Sequence, residues 1–213
     1  MSAARALRED MSRDGAVVMD DDQMVLQRIL DPDVHLAVWQ RRAARGIEGL
    51  EGLEGLAGLD WDAIANIDQD VPVEALASAI PEALRSAGYP DVVALADAIV
   101  PLASDFAALM ACEALRIRLD VTETDACRKF HADQVTLRLL MPLVGPGTQW
   151  VHANAEPQVP EGELRIGDVG LFKGRVWAEE PVILHRSPPI AAMGITRLLL
   201  VIDPGSGPSR PSR

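Results

Sequence analysis

Hydrophobic residues in the middle of the chain recur at helical spacing. In residues 72–87 they fall every three or four positions, and Gly88 follows where a glycine that ends a helix is expected. A second series of this kind covers residues 90–112, although Pro101 is expected to kink or divide it. Asp105 would then cap the continuation of that helix. The pattern predicts two packed helices in this part of the chain.

The residues before these helices give a weaker pattern. Residues 1–19 are polar and show no period, and we predict that they form a flexible tail. Three aspartates at residues 20–22 then provide a helix N-cap for the segment QMVLQRIL, and Asp31-Pro32 ends that helix. In VHLAVW, at residues 34–39, the alternation suits either a short strand or the first turns of a helix.

A glycine repeat occupies residues 46–59, which read GIEGLEGLEGLAGL. Glycine stands at every third position, with isoleucine or leucine next to it. In a helix, each of these glycines costs about 1 kcal/mol relative to alanine. The repeat is therefore either a weak helix or an irregular loop, and it indicates no function.

The period of the sequence changes from helical to alternating near residue 113. In ALRIRLDVT, at residues 114–122, apolar and charged residues alternate, as in a strand with one face in the core. Farther along, turns rich in glycine and proline separate short apolar runs, which is typical of an antiparallel sandwich or barrel. Helices followed by a β-rich half predict the α+β class.

The chain is predicted to divide where this change of period occurs. A helical N-terminal region at residues 20–112 would pack on a β core at residues 113–204. Flexible tails would flank these two regions, at residues 1–19 and 205–213.

The charge of the chain is strongly negative. Its 20 Lys and Arg residues face 32 Asp and Glu residues, which gives a formal net charge of −12. Because such a surface repels phosphate backbones, we expect no nucleic-acid partner. The two cysteines, Cys112 and Cys127, do not make a disulfide framework, so we expect a reducing compartment.

No segment of the sequence predicts a membrane partner. The N-terminus lacks the apolar run of a secretory signal. The longest apolar stretch, at residues 92–115, is interrupted by Asp97, Pro101 and Asp105. We therefore expect a cytoplasmic protein.

One histidine and one aspartate stand two residues apart in the β half. If a strand begins at Phe130, His131 and Asp133 share a face, which the apolar residues of VTLRL continue into the interior. Because burying an unpaired carboxylate is costly, the pair either holds a metal or is a structural hydrogen-bonded pair. His185 shares its face with Ile183 and could join them. Two histidines and a carboxylate leave three metal positions open, which suits Fe(II).

A buried arginine is predicted in the segment ITRLLLVID. Both faces of this strand are apolar, and Arg197 shares its face with Leu199 and Val201. A buried guanidinium needs an anion, and its fork matches a carboxylate. That anion is either Asp203, on the same face of the strand, or a carboxylate of a bound small molecule.

The residues His131, Asp133, His185 and Arg197, in this order, resemble the signature of the Fe(II)/2-oxoglutarate-dependent oxygenases, as does the segment GDVGLF. The resemblance implies an antiparallel double-stranded β-helix, a cupin-like jelly-roll, with the N-terminal helices packed on it. It also implies that the two histidines and the aspartate bind Fe(II). Arg197 would bind the cosubstrate 2-oxoglutarate, and dioxygen would oxidise an unknown substrate.

Over most of its length the chain also resembles a family of uncharacterised bacterial proteins called domain of unknown function 1826. This resemblance rests on the segments CRKFHAD, GPGTQW, GDVGLFKG, HRSPP and RLLLVID. It implies no established activity.

The same pocket could instead hold Zn(II) without catalysis. Cys127, just before His131, and His152, after GPGTQW, are possible additional ligands. They would close a tetrahedral site that serves structure or metal homeostasis. A third possibility is a β-barrel interaction module without a metal. A small-molecule cosubstrate is the partner that the sequence suggests, and no pattern indicates a substrate or an oligomeric state.

Overall fold

The computed structural model describes residues 15–41, 53–155 and 159–205. They form β-sheets and α-helices with a larger β part, which confirms the predicted mixed class in this coarse form. The α-helices are α1 at Leu76–Ser86 and α2 at Val92–Met110. The strands are, in chain order, β1 Val17–Asp20, β2 Leu36–Trp39, β3 Ile67–Pro72, β4 Ala114–Thr122, β5 Leu137–Val144, β6 Gln149–His152, β7 Gly162–Glu163, β8 Val169–Lys173, β9 Ile183–Arg186 and β10 Arg197–Pro204.

These strands form a large sheet and a small sheet. The order in the large sheet is β1-β2-β8-β5-β10-β4-β3, and the order in the small sheet is β7-β6-β9. Neighbouring strands are antiparallel in both sheets, except that β1 and β2 run parallel at one edge of the large sheet.

The two faces of the large sheet pack in different cores, as the alternation of side chains along a strand requires. On one face, Ile117 and Leu200 pack with residues of the helices such as Ile99. On the other face, Val201 packs with residues of the small sheet such as Trp150. The large sheet is therefore covered by helices on one face and by the small sheet on the other.

Helices begin where the sequence predicts them. Asp22 caps a 3-10 helix at Gln23–Leu30, since its carboxylate accepts a hydrogen bond from the backbone N–H of Met24 at 2.9 Å. Asp91 caps α2 in the same way, through the backbone N–H of Ala94 at 3.1 Å. The first helix differs from the prediction only in being 3-10 rather than α-helical.

Pro101 was expected to kink or divide the second helix. Division was wrong, and so was the expectation that Asp105 caps a continuation. Helix α2 runs through both residues. Ile99 and Leu102, on either side of the proline, are buried in the same core, so packing outweighs the hydrogen bond that proline cannot donate. Asp105 instead accepts a hydrogen bond from Gln23 Nε2 at 2.8 Å and ties the 3-10 helix to α2.

Three strands lie in regions predicted to be a tail or helical. β1 occupies the end of the predicted N-terminal tail, and β2 confirms the strand alternative at residues 34–39. β3, with the polar sequence IDQDVP, has no predicted counterpart and pairs with β4 at the other edge of the large sheet. The large sheet takes strands from both sides of residue 112, so the predicted division at 112/113 runs through one sheet.

Parts of three predicted segments lie outside the described residues. These parts are residues 1–14 of the N-terminal tail, residues 46–52 of the glycine repeat and residues 206–213 of the C-terminal tail. The rest of the repeat forms a 3-10 helix at Leu53–Gly58.

Helix α2 is long and apolar enough to span a membrane by length and composition, with a mean hydropathy of 1.8. The central helix of a folded core passes the same test. Leu95, Ile99 and Ala103 of α2 are fully buried against the rest of the protein. In this structure α2 is therefore a helix of the folded core.

Candidate metal centre

Two histidines from distant parts of the chain meet between the two sheets. The backbone N–H of His131 donates to the His185 carbonyl at 3.0 Å, and the N–H of His185 donates to the His131 carbonyl at 2.9 Å. This isolated bridge holds the two ring centroids 4.8 Å apart. His185 lies in β9 and is buried, as the sequence predicts.

The strand predicted to begin at Phe130 was wrong, because β5 begins at Leu137. Residues 132–136 cross from the small sheet to the large sheet, and their carbonyl groups accept hydrogen bonds from residues 174–176 instead of from a strand. This crossing changes which side chains of β5 lie on the same side of the large sheet as the candidate ligands. Leu137 packs on the helical side of the sheet, whereas Arg138 lines the cavity that contains His131.

The structure brings together the three side chains predicted to bind a metal. Candidate ligand atoms of His131, Asp133 and His185 all lie within 4.8 Å of one another. Asp133 Oδ2 is 3.0 Å from His185 Nε2, and Asp133 Oδ1 is 3.6 Å from His131 Nε2. Asp133 Oδ2 is nevertheless a buried oxygen without an aligned hydrogen-bond donor. A buried acceptor of this kind needs a partner, and a metal ion is a suitable one.

The tautomer of His131 fits a metal ligand. Its Nδ1 lies 2.8 Å from the Lys129 carbonyl oxygen. Since a carbonyl only accepts, Nδ1 carries the hydrogen, and Nε2 directs its lone pair toward Asp133 unless it is protonated. A lone pair facing a carboxylate oxygen requires a cation between them, either a proton or a metal ion. Fixing the ring through its other nitrogen is also the usual arrangement at metal-binding histidines.

The protonation states of Asp133 and His185 favour ligation, whereas the hydrogen bond to Asp133 raises the pKa of His131. Burial lowers the pKa of His185, so its ring is neutral at pH 7. Burial alone would raise the pKa of Asp133, but the two histidines and the charge of Arg138 hold it well below its usual range. The cluster therefore presents a carboxylate and a neutral imidazole, which are the forms that bind metals.

Arg138 joins the cluster to a second carboxylate. Its Nη1 is 2.6 Å from Asp133 Oδ1, while Nε and Nη2 donate to Asp203 at 2.8 Å and 2.7 Å. The alternative in which Arg197 pairs with Asp203 is therefore wrong, because Asp203 forms its short ion pair with Arg138 instead. Arg138 was not predicted as a site residue, although it gives the same signal as Arg197: a charged residue in an apolar strand, LRLLMPLV.

Arg197 is 1% exposed, and its hydrogen-bond acceptors are uncharged. It donates to the Pro146 carbonyl at 2.9 Å, to Ser187 Oγ at 3.0 Å and to Thr148 Oγ1 at 2.7 Å. Burial lowers the pKa of the guanidinium to about 10, which still leaves it charged at neutral pH. Among the described residues no carboxylate lies within ion-pair distance of Arg197, so a buried positive charge is left without a counter-ion.

The turn that follows β5 supplies two of these acceptors. Gly145 has a φ of 76°, and a Cβ at this position would lie 2.6 Å from the Thr196 carbonyl oxygen. Only glycine fits this close approach without displacing the backbone. The turn therefore places Pro146 and Thr148 against the first residue of β10.

One cavity of about 290 Å³ contains the cluster and the arginine. His131, Asp133, His185 and Arg197 all line it. Cys127 lines the cavity too, but it is exposed and does not belong to the group of candidate ligands.

His152, the other possible additional ligand, also lies outside the cluster. Its Nδ1 pairs with Glu161 Oε2. Within the described part of the chain, the structure therefore brings neither Cys127 nor His152 to the three candidate ligands.

Solved structures of several dioxygenases resemble this one at low sequence identity. The dioxygenase for auxin oxidation from rice is 14% identical with a TM-score of 0.48, and the alignment covers 83% of this chain and 76% of that one. A prolyl-4-hydroxylase from Pseudomonas putida is also 14% identical, with a TM-score of 0.46 and coverages of 84% and 90%. The complex of dioxygenase for auxin oxidation 1 from Arabidopsis thaliana with 2-oxoglutarate is 13% identical, with a TM-score of 0.49 and coverages of 88% and 91%.

Comparison with curated proteins gives no match. A family model does match: it is described as a protein of unknown function, DUF1826, and it covers residues 20–203, which include the whole small sheet and the whole candidate centre. The chain therefore belongs to the DUF1826 family.

Proposed function

We propose that this protein is an Fe(II)/2-oxoglutarate-dependent oxygenase. In this proposal His131, Asp133 and His185 bind the iron, and Arg197 binds the distal carboxylate of 2-oxoglutarate. The observation that carries it is the single cavity that holds three convergent candidate ligands and a buried arginine without a counter-ion.

The donor set supports iron more than a closed zinc site. Two imidazole nitrogens and one carboxylate oxygen leave coordination positions for a cosubstrate and dioxygen, as in non-haem Fe(II) oxygenases. A structural zinc site needs four protein ligands. The described residues supply three, and the candidates for the fourth, Cys127 and His152, lie apart from them.

We infer that the two sheets are the walls of a double-stranded β-helix. The face of the large sheet that carries Leu140 and Val201 packs against residues of the small sheet, and the candidate centre lies between them. The helices on the opposite face would brace this jelly-roll.

The residues of the candidate centre have distinct roles in this proposal. His131 and His185 donate imidazole nitrogens, and Arg138 holds the Asp133 carboxylate in place through the 2.6 Å ion pair. Bound Fe(II), together with 2-oxoglutarate and dioxygen, supplies the oxidising chemistry for a C–H bond of the substrate.

The cosubstrate is positioned by the other end of the cavity. Arg197 gives the bidentate fork that a carboxylate requires. The hydroxyl groups of Thr148 and Ser187, already bonded to this guanidinium, orient it. The apolar side chains of Leu199 and Val201, which follow Arg197 on the same face of β10, line the cavity and exclude water from the reacting groups.

The proposal predicts a slow conversion of 2-oxoglutarate to succinate without any added substrate. The protein is incubated with Fe(II), ascorbate and 2-oxoglutarate in air, and succinate is measured by mass spectrometry. Succinate should form with the wild type and with His152→Ala, but not with His185→Ala. The proposal fails if the wild type forms no succinate above a protein-free control, or if His185→Ala forms as much as the wild type.

A further inference from the structure

A second arginine lines the same cavity, on strand β4. In the pairing of β4 with β10, Thr122 lies opposite Arg197, and Arg118 lies opposite Val201. Arg118 and Thr122 are four positions apart, which at the usual rise of a strand is roughly 13 Å. The cavity therefore has two ends, one at Arg197 and one at Arg118.

The hydrogen bonds of Arg118 are long for a largely buried arginine side chain. Its Nη1 contacts Asp120 and its Nη2 contacts Asp203, each at 3.5 Å, the outer limit of a hydrogen bond. Its Nε is buried and has no partner. Asp203 is already held by two short bonds from Arg138.

The neighbouring arginine on the same face of β4 shows what a fully bonded guanidinium looks like in this sheet. Arg116 makes a bidentate pair with Asp68, with both bonds at 2.7 Å, and it does not line the cavity. The incomplete bonding of Arg118 is therefore a property of its position in the cavity and is not general to the strand.

The charges of the cavity leave room for one more negative charge. Its arginines are Arg118, Arg138, Arg186 and Arg197. The carboxylates that line it or lie within ion-pair distance of these arginines are Asp120, Asp133 and Asp203. The excess is one positive charge. A divalent metal ion and dianionic 2-oxoglutarate cancel each other, so the excess persists when both are bound.

An amide group also lines the cavity, and it is bonded to β4 three residues along the strand from Arg118. It belongs to Asn66, whose Oδ1 atom accepts a hydrogen bond from the Val121 N–H at 2.7 Å. This bond orients the side chain and leaves its N–H groups to donate. The guanidinium of Arg118 offers the paired donors that a carboxylate group requires, and Asn66 adds amide donors elsewhere in the same cavity.

We infer that Arg118 binds the carboxylate of the substrate that is oxidised, and that this substrate is a small monocarboxylic acid. The inference rests on the proposed function, because it assigns the other end of the cavity to 2-oxoglutarate. The size follows from the cavity, since about 290 Å³ must hold both molecules. The single charge follows from the excess of one positive charge.

The test uses the full chain loaded with Mn(II) and saturating 2-oxoglutarate, which blocks the metal and Arg197. Propionate, butyrate, hexanoate and benzoate are titrated, and binding is read from the relaxation of their protons by the paramagnetic metal. At least one of these carboxylates should bind saturably to the wild type, whereas uncharged butyramide should not. Arg118→Gln should weaken that binding at least about tenfold, the loss expected of a charge-assisted bidentate pair.

Matched variants separate the alternatives. Arg116→Gln, on the same strand and face but outside the cavity, should bind the carboxylate as the wild type does. Arg118→Lys keeps the charge without the planar fork, so it covers the case in which Arg118→Gln does not fold, and it should bind at least about threefold more weakly. The affinity for 2-oxoglutarate should be unchanged in Arg116→Gln and in Arg118→Lys, both of which keep the charge of the cavity.

The inference is overturned if none of the four carboxylates binds saturably to the wild type, or if Arg118→Gln and Arg118→Lys bind as tightly as Arg116→Gln. If instead Mn(II) or 2-oxoglutarate fails to bind the wild type, the proposed function fails, and the substrate site falls with it. The 2-oxoglutarate titration and the carboxylate titration report these two failures separately.

Discussion

Among the single residues of the candidate centre, Asp133 is the one that contacts several partners at once. It faces two imidazole rings and forms an ion pair with Nη1 of Arg138. The other two nitrogens of Arg138 bind Asp203. Arg138 therefore acts on the candidate metal ligand: it fixes the carboxylate in one orientation and keeps it ionised. Partners of this kind around a metal ligand usually matter for affinity nearly as much as the ligand itself.

Replacing Arg138 by methionine should weaken metal binding about 10- to 100-fold. The variant leaves Asp133 without its cationic partner and Asp203 with only the long contact to Arg118. Because two buried carboxylates lose a partner, the free energy of unfolding should also fall by roughly 3 kcal/mol. Arg138→Lys should recover part of both losses. Titration with Mn(II) and urea denaturation measure the two effects, and wild-type metal affinity in Arg138→Met would refute the positioning role.

A second residue-scale prediction concerns His35, outside the candidate centre. Burial, and then the nearby charge of Lys173, lower the pKa of His35 to about 4 from its ordinary value of 6.5. Between these pH values the unfolded chain binds a proton that the folded chain does not. Stability should therefore fall as the pH decreases from 6.5 toward 4.

Substitution of His35 by glutamine should remove this part of the acid sensitivity. The difference in unfolding free energy between pH 7 and pH 5, measured by urea denaturation, should be smaller in His35→Gln than in the wild type. The histidines of the candidate centre are present in both proteins, so their contributions cancel. Equal differences would show that His35 does not titrate as its burial implies.

At the scale of elements, the site depends on two irregular connections between the sheets. The segment at residues 132–136 carries Asp133 from the small sheet to the large one. The turn at residues 145–148 leads from β5 in the large sheet to β6 in the small sheet, and it presents a carbonyl and a hydroxyl to Arg197. Strands supply the frame, and these connections set the positions of the functional groups.

Gly145→Ala tests the turn. The left-handed φ and the contact with the Thr196 carbonyl should together cost about 1–2 kcal/mol of stability, and a displaced turn should lower the affinity for 2-oxoglutarate without changing that for the metal. Gly194→Ala is the matched control, because Gly194 also has a positive φ, of 61°, but open space around its Cβ position. A loss of 2-oxoglutarate affinity as large in Gly194→Ala would refute the role of the turn.

Elements with a strong period could be predicted from the sequence, and those defined by tertiary pairing could not. Helices α1 and α2 and strand β4 follow from apolar spacing. β3 carries little apolar sequence, because as an edge strand it is specified by its pairing with β4. The types of the candidate ligands were predictable, since polar residues in apolar surroundings need a reason. Their geometry was not, because the crossing between the sheets at residues 132–136 leaves no periodic signal.

The same limit explains the two arginines that sequence analysis missed. Arg118 was read as part of the wet face of a half-buried strand, and only the small sheet above that face turns it into a cavity residue. Arg138 is 65 residues from its partner Asp203, so no local pattern connects them.

At the scale of the whole molecule, the centre exists only when the two sheets are packed on each other. His185 comes from the small sheet, Arg197 from the large sheet, and Asp133 from the crossing between them. The helices support the large sheet from its other face. The whole chain has a formal net charge of −12, whereas the cavity has an excess of one positive charge.

In the proposed function, one cavity binds Fe(II) through two histidines and an aspartate and binds 2-oxoglutarate through Arg197. The most direct measurement is an anaerobic optical titration of the metal-free protein with Fe(II) and then 2-oxoglutarate. A weak visible charge-transfer band should appear only when both are present. The band should be absent in His185→Ala, weakened in Arg197→Gln and retained in His152→Ala. Fe(II) binding that does not respond to 2-oxoglutarate, or a band that survives in His185→Ala, would contradict the account.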